Sequence, residues 1–134
     1  VERHVRLLGT LATLWGVLAA LVGASMLLLA GGALALAVDP GSDAVTLAAG
    51  VTTAVFLSIG VFSLVWSAAH LRAGVLLRRF APSGRILMLA LGVVNLLVFP
   101  FGTALGLYAF WVLLTHDGRR LFEPGHRPSE ATIR

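Results

Sequence analysis

Residues 7–38 read LLGTLATLWGVLAALVGASMLLLAGGALALAV, and no Asp, Glu, Lys or Arg interrupts them. A helix needs about 20 apolar residues, at roughly 1.5 Å of rise each, to cross the ~30 Å hydrocarbon layer of a bilayer. This run is long enough with a tilt, or with a surface segment after Gly31-Gly32. Two more uncharged runs follow, 44–71 and 86–116. Polar segments separate them. Glu2, Arg3, His4 and Arg6 precede the first run, and Asp39-Pro40-Gly41-Ser42-Asp43 reads as a turn after it. Arg72, Arg78, Arg79 and Arg85 surround the breaker Pro82-Ser83-Gly84, and a polar tail occupies 117–134. Pro and Gly supply the bends.

Composition agrees with this reading. Of 134 residues, 58% are hydrophobic and 12% charged, with a mean hydropathy of +0.95. Soluble domains are roughly a quarter charged, and a chain this short cannot bury so much apolar surface in its own core. The surplus is expected to face lipid. The net charge of +4 does not point to nucleic acid. Every basic residue is an Arg, none lies inside an apolar run, and no basic stripe with interleaved aromatics occurs. The absence of Cys excludes disulfides, thiolate metal sites and cysteine nucleophiles. The first run is too long for a signal-peptide core and another span follows, so it is expected to be a retained helix.

The third run is too long for one crossing and short for two. Pro100 divides it, and Phe99-Pro100-Phe101-Gly102 makes a plausible turn because Pro ends the hydrogen-bond ladder. The expectation is two short spans, with a re-entrant hairpin as the alternative. The fold class is therefore an all-α membrane protein: a compact bundle of four transmembrane helices with a short C-terminal helical hairpin. The spans are expected at about 7–31, 46–71, 84–99 and 101–116, within a domain 1–116, followed by the cytoplasmic tail 117–134. All ten Arg fall in the head, the middle loop and the tail. By the positive-inside rule these segments and both termini are cytoplasmic, and Asp39 and Asp43 lie outside.

Packing is legible in the small residues. Gly9, Gly16, Gly23 and Ala30 recur every seven residues, a period that keeps one stripe facing a partner helix. The second span has Thr53, Gly60, Ser63, Ser67 and Gly74, and the fourth has Gly102 and Gly106. Small side chains let backbones approach where lipid gives no hydrophobic drive. A pore lined by hydroxyls is the weaker reading, since the run centres hold no ionisable group.

The segment 95–114, NLLVFPFGTALGLYAFWVLL, resembles the C-terminal hairpin of a widespread group of small bacterial four-helix membrane proteins, with the pattern N-L-x-x-F-P-x-G-T-x-L-G-x-Y-x-x-W-V-L-L. Over the first two spans the likeness is limited to hydropathy and the acidic outer turn. The resemblance implies the fold and a bacterial inner-membrane setting, and no particular chemistry. Within the segment, Pro100 frees backbone groups. Asn95 and Thr103, one turn to either side, are expected to staple the hairpin by bonding those groups or each other. Trp66 and Trp111 are expected near the cytoplasmic interface as an aromatic belt.

Histidine is the remaining chemical candidate. His70 and His116 close the second and fourth spans at similar depth, and such a pair could ligate a haem or chlorin from two sides. An interfacial His beside Arg is more often solvated. Zinc lacks a third ligand at suitable spacing, and no Ser or Thr has a base partner. No cofactor and no enzymatic activity are expected. The reading is a small integral membrane protein that acts through helix–helix contacts with other membrane chains or itself, as an oligomer or accessory subunit. The alternatives are a small transporter or channel and a haem- or chlorin-binding subunit. The partners expected are the lipid bilayer and other membrane chains, with no nucleic acid. The orientation is directly testable: a reporter fused after Arg134 should read as cytoplasmic, and a periplasmic signal would overturn it.

Overall fold

In a computed structural model of the chain, residues 2–38, 42–98 and 100–122 are described, and they are helical with no strand among them. The order is α1 (Glu2–Val38), α2 (Asp43–Arg78), α3 (Pro82–Asn95), α4 (Phe101–Leu114) and the short α5 (His116–Arg120). Asp39, Pro40 and Gly41 of the expected outer turn, Phe99 of the hairpin turn, and the tail from 123 onward lie outside the described residues.

α1 and α2, of 37 and 36 residues, are the two helices long and apolar enough to cross a membrane. At about 1.5 Å per residue each runs to roughly 55 Å, so both exceed the spans expected at 7–31 and 46–71. α2 starts on Asp43 and ends on Arg78, placing an acid at its positive end and a base at its negative end. α3 and α4 have 14 residues each. That is about 21 Å, less than a ~30 Å hydrocarbon layer. Pro82 opens α3, where its missing N–H costs nothing.

The chain divides into two compact units, Val1–Leu14 with Ala69–Arg134, and Trp15–Ala68. In the first unit, Val5, Leu8, Ala12, Ala73, Leu77, Met88, Ala109 and Leu113 are fully or almost fully buried. Here α1 and α2 meet backbone to backbone. A Cβ placed on Gly9 would lie 3.0 Å from the Gly74 carbonyl oxygen, and one on Gly74 would lie 2.7 Å from that of Gly9. α3 and α4 meet in the same way, with a Cβ on Gly106 falling 2.7 Å from the Gly92 carbonyl oxygen. Gly102 fits beneath Asn95 and Val98, where a Cβ would come within 2.7 Å of the Asn95 carbonyl oxygen.

The link from α2 to α3 is tight. The Ala81 amide donates to the Leu76 carbonyl and the Phe80 amide to that of Leu77, both at 3.0 Å. This is the pattern that closes a helix through a left-handed residue, usually Gly. Here Phe80 takes that place at φ 52°, which costs of order 1 kcal/mol. Its ring packs 6.3 Å from that of Phe122, centroid to centroid, with the Arg6 guanidinium 5.8 Å from its own centroid. A glycine would offer neither contact.

The second unit holds the remaining lengths of α1 and α2. Gly16, Gly23 and Ala30 are buried on α1, and Gly60 and Ser67 on α2. Cβ atoms on Gly23 and Gly60 would lie 3.1 and 3.2 Å from each other's carbonyl oxygens. Outside this seam the large apolar residues are exposed, including Leu28, Leu36, Leu47, Phe62 and Val65. The hydroxyls of Ser25, Thr52, Thr53 and Ser58 each donate to the carbonyl four residues back, at 2.8–2.9 Å. They carry no unmet donor to their surroundings.

The contacts separate two kinds of glycine. Gly74→Ala should destabilise the fold by about 1–3 kcal/mol, because the new methyl meets backbone that cannot move aside. Gly31 has nothing within 4 Å, so Gly31→Ala should be neutral or stabilising by up to about 1 kcal/mol. Thermal melting of the two variants in detergent checks this, and equal melting points would refute the contact.

Candidate functional site

On α3 the buried residues Gly84, Met88, Leu91 and Asn95 fall at helical spacing and form one inward face. That face ends in the only side chain on it able to make two kinds of hydrogen bond. Asn95 is fully buried, and its Nδ2 lies 3.0 Å from Nε2 of His70 on α2, also fully buried. An amide nitrogen can only donate, so in this arrangement Nε2 is the acceptor. Asn95 Oδ1 is buried without a partner. The pair ties the end of α3 to α2.

Two of the sequence expectations change here. Asn95 does not staple the hairpin to Thr103. The Thr103 hydroxyl donates instead to the Leu96 carbonyl at 3.0 Å, answering one of the groups freed at the end of α3. Asn95 belongs to the inward face of α3, on a different side from the turn. His70 is likewise not a solvated interfacial residue. α2 continues two helical turns past it to Arg78, so it lies inside the packing and not at the helix end.

The other residues singled out from sequence occupy distinct places. His116 is exposed at the start of α5, whereas His70 Nε2 is engaged by Asn95, so the two do not present a common pair of ligands. Among the described residues no group of three or more His, Asp or Glu is placed to hold a metal. Pro100 is exposed and precedes α4 as its N-cap residue. Gly9, Gly16, Gly23, Gly102 and Gly106 are all buried. Trp111 is exposed and edge-on to His4, 5.6 Å between ring centroids, while Trp66 stacks on Phe62 at 6.2 Å.

Two polar arrangements had no sequence counterpart. The Thr13 hydroxyl donates to the Gly9 carbonyl at 2.8 Å and accepts from Arg78 Nη2 at 3.0 Å. Arg78 Nε donates to the Gly74 carbonyl at 3.2 Å. One side chain thus bonds both sides of the Gly9–Gly74 contact. Near the start of α1, His4 Nδ1 shares a hydrogen bond with the Tyr108 hydroxyl at 3.1 Å. Both join residues 65 or more positions apart, a distance over which spacing carries no signal.

Comparisons of the chain with protein-family models, with curated proteins and with solved structures find no match.

The coupling of His70 to Asn95 can be measured. In a double-mutant cycle with His70→Leu and Asn95→Leu, the interaction energy should be about 0.6–1.7 kcal/mol, the scale of polar contacts between apolar helices. Unfolding in detergent with added denaturant reads it. A value near zero, or coupling of Asn95 to Thr103 in the parallel cycle with Thr103→Val, would contradict the pairing.

Proposed function

We propose that the chain is a multi-pass protein of the bacterial inner membrane that works through helix–helix contacts, as an oligomer or an accessory subunit of a larger membrane complex. α1 and α2 cross the bilayer. The Arg-bearing head, middle loop and tail face the cytoplasm, as the positive-inside rule requires. α3 and α4 then enter from the cytoplasmic side. For both to cross as full spans, the layer would have to thin by roughly 9 Å around them. A re-entrant hairpin with its tip at Pro100 needs no such thinning, and it is the arrangement we favour. The hydroxyl bonds to backbone carbonyls within each helix suit residues facing lipid.

The observation that carries the interaction reading is a row of small residues left uncovered by the described residues. Gly50, Ala54 and Ser58 stand four apart on α2, all exposed, and a Cβ on Gly50 would meet nothing within 4 Å. Such rows allow close approach of a second helix in lipid, where packing drives association. They are separate from the buried row through Gly60 and Ser67 that closes α2 on α1 within the second unit.

Photo-cross-linking in native membranes followed by native mass analysis tests this. The chain should be captured with a second copy or another membrane chain, and Gly50→Leu with Ala54→Leu should abolish capture without lowering thermal stability. A chain that is monomeric and captures no protein would refute the interaction reading.

A further inference from the structure

The first unit carries eight described Arg, namely Arg3, Arg6, Arg72, Arg78, Arg79, Arg85, Arg119 and Arg120, against Glu2 and Asp117. Among the described residues no ion pair joins any of them. Contacts within the unit bring much of this charge to one end. Arg6 on α1 lies over Phe80 after α2, and Phe80 packs on Phe122, which stands two residues after Arg120 of α5. α3 starts two residues after Phe80, with Arg85 in its first turn.

Not all of these guanidiniums are equally free. Arg78 spends Nε and Nη2 on the Gly74 carbonyl and the Thr13 hydroxyl, and Arg6 rests on an aromatic face. Arg85 is different. Its Nε is buried and has no acceptor. Arg85 as a whole is half-buried, so this one N–H is cut off from water while the rest of the guanidinium is not. A buried donor left unpaired is costly, so an acceptor is called for. Its position adds to the demand. The first turn of α3 has no acidic residue and no side-chain cap, so a cation sits at the positive end of a helix. The acceptor that answers both is an anion with several oxygens, and a phosphodiester matches the guanidinium fork.

We propose that this Arg cluster, with Arg85 as its anchor, binds the headgroup of an anionic phospholipid. The inference rests on the reading of the chain as membrane-embedded with this end at the cytoplasmic face. There anionic headgroups supply phosphate oxygens at the depth of the helix ends. The remaining Arg residues contribute attraction to the same surface, and Arg85 contributes the directed bond.

The test uses the full chain in nanodiscs of phosphatidylcholine mixed with phosphatidylglycerol, with retained lipid counted by native mass spectrometry after detergent release. Wild type should retain phosphatidylglycerol over phosphatidylcholine. Arg85→Gln should lower that preference about fivefold, the effect expected of one Arg at an anionic surface. Arg85→Lys should recover only part of it, since an ammonium lacks the fork. Arg85→Gln should melt at the wild-type temperature in pure phosphatidylcholine and lose the rise that phosphatidylglycerol gives wild type. If Arg85→Gln fails to fold, the wild-type preference and the Arg85→Lys variant decide. Equal retention of the two lipids by wild type, or a full wild-type preference in Arg85→Lys, overturns the proposal. A rise in wild-type melting with inorganic phosphate as large as that with the lipid also overturns it, in favour of a soluble anion. A chain that stays soluble without detergent and does not enter nanodiscs overturns the membrane reading itself, a result distinct from these.

Discussion

Gly74 and Gly9 face each other so closely that neither could carry a methyl group without displacing the other's backbone. A milder form recurs between Gly23 and Gly60, at 3.1 and 3.2 Å, and a one-sided form at Gly106, whose added Cβ would fall 2.7 Å from the Gly92 carbonyl oxygen. Where helices have no hydrophobic incentive to leave their surroundings, the attraction available is dispersion between atoms in contact, and it falls off within an ångström. Removing the side chain lets two backbones enter that range over several residues at once. The first two contacts lie in different units, and in sequence Gly23 is fourteen residues beyond Gly9 and Gly60 fourteen before Gly74. A fourteen-residue step is two heptads, the spacing that a helix-pairing row uses. Gly16 on α1 and Ser67 on α2 fall at the intermediate steps, and Ala30 and Thr53 one heptad further on.

Polar groups are placed so as not to weaken this seam. Thr13 and Arg78 bond the carbonyls of Gly9 and Gly74 on their open sides. The bare backbone of a glycine contact thus gains hydrogen bonds without added bulk in the interface. His70 and Asn95 do the equivalent work between α2 and α3. Buried polar pairs of this kind add modest stability and restrict the register in which helices can pack. Only the right alignment of α3 brings Asn95 to Nε2, so a slipped α3 would leave the Asn95 amide buried without this bond. The partnerless Asn95 Oδ1 and Arg85 Nε are the exceptions among buried side-chain polar atoms of the described residues.

The helical class, the separate hairpin about Pro100 and the heptad row of Gly9, Gly16 and Gly23 were legible because each depends on local composition or period. Helix ends were less so. The charge at Arg72 marks where the chain can leave an apolar phase, whereas the hydrogen-bond ladder of α2 runs on to Arg78. Hydropathy reports the first and not the second. His70 was misread for that reason, as a residue at a boundary when it is interior. Asn95 was correctly singled out as the polar residue to watch, but its partner was not. Near a proline the direction of a side chain depends on how the helix ends, and the last bonds of α3 tighten to three-residue turns at Leu97 and Val98. His70 lies 25 residues away on another helix, and no spacing rule links the two.

If the glycine seam governs the fold, its register must hold at positions not used to define it. Ala30 and Thr53 share that register in the second unit, and the natural chain has no cysteine to compete. If the register holds, their Cα atoms come within the ~4.4–6.8 Å range of a disulfide. The variant with Ala30→Cys and Thr53→Cys, oxidised in membranes, should form an intramolecular disulfide rapidly and in high yield. The pair Leu28→Cys with Thr53→Cys, with Leu28 exposed, should not. Cross-linking of both pairs to the same extent, or of neither, would contradict the seam.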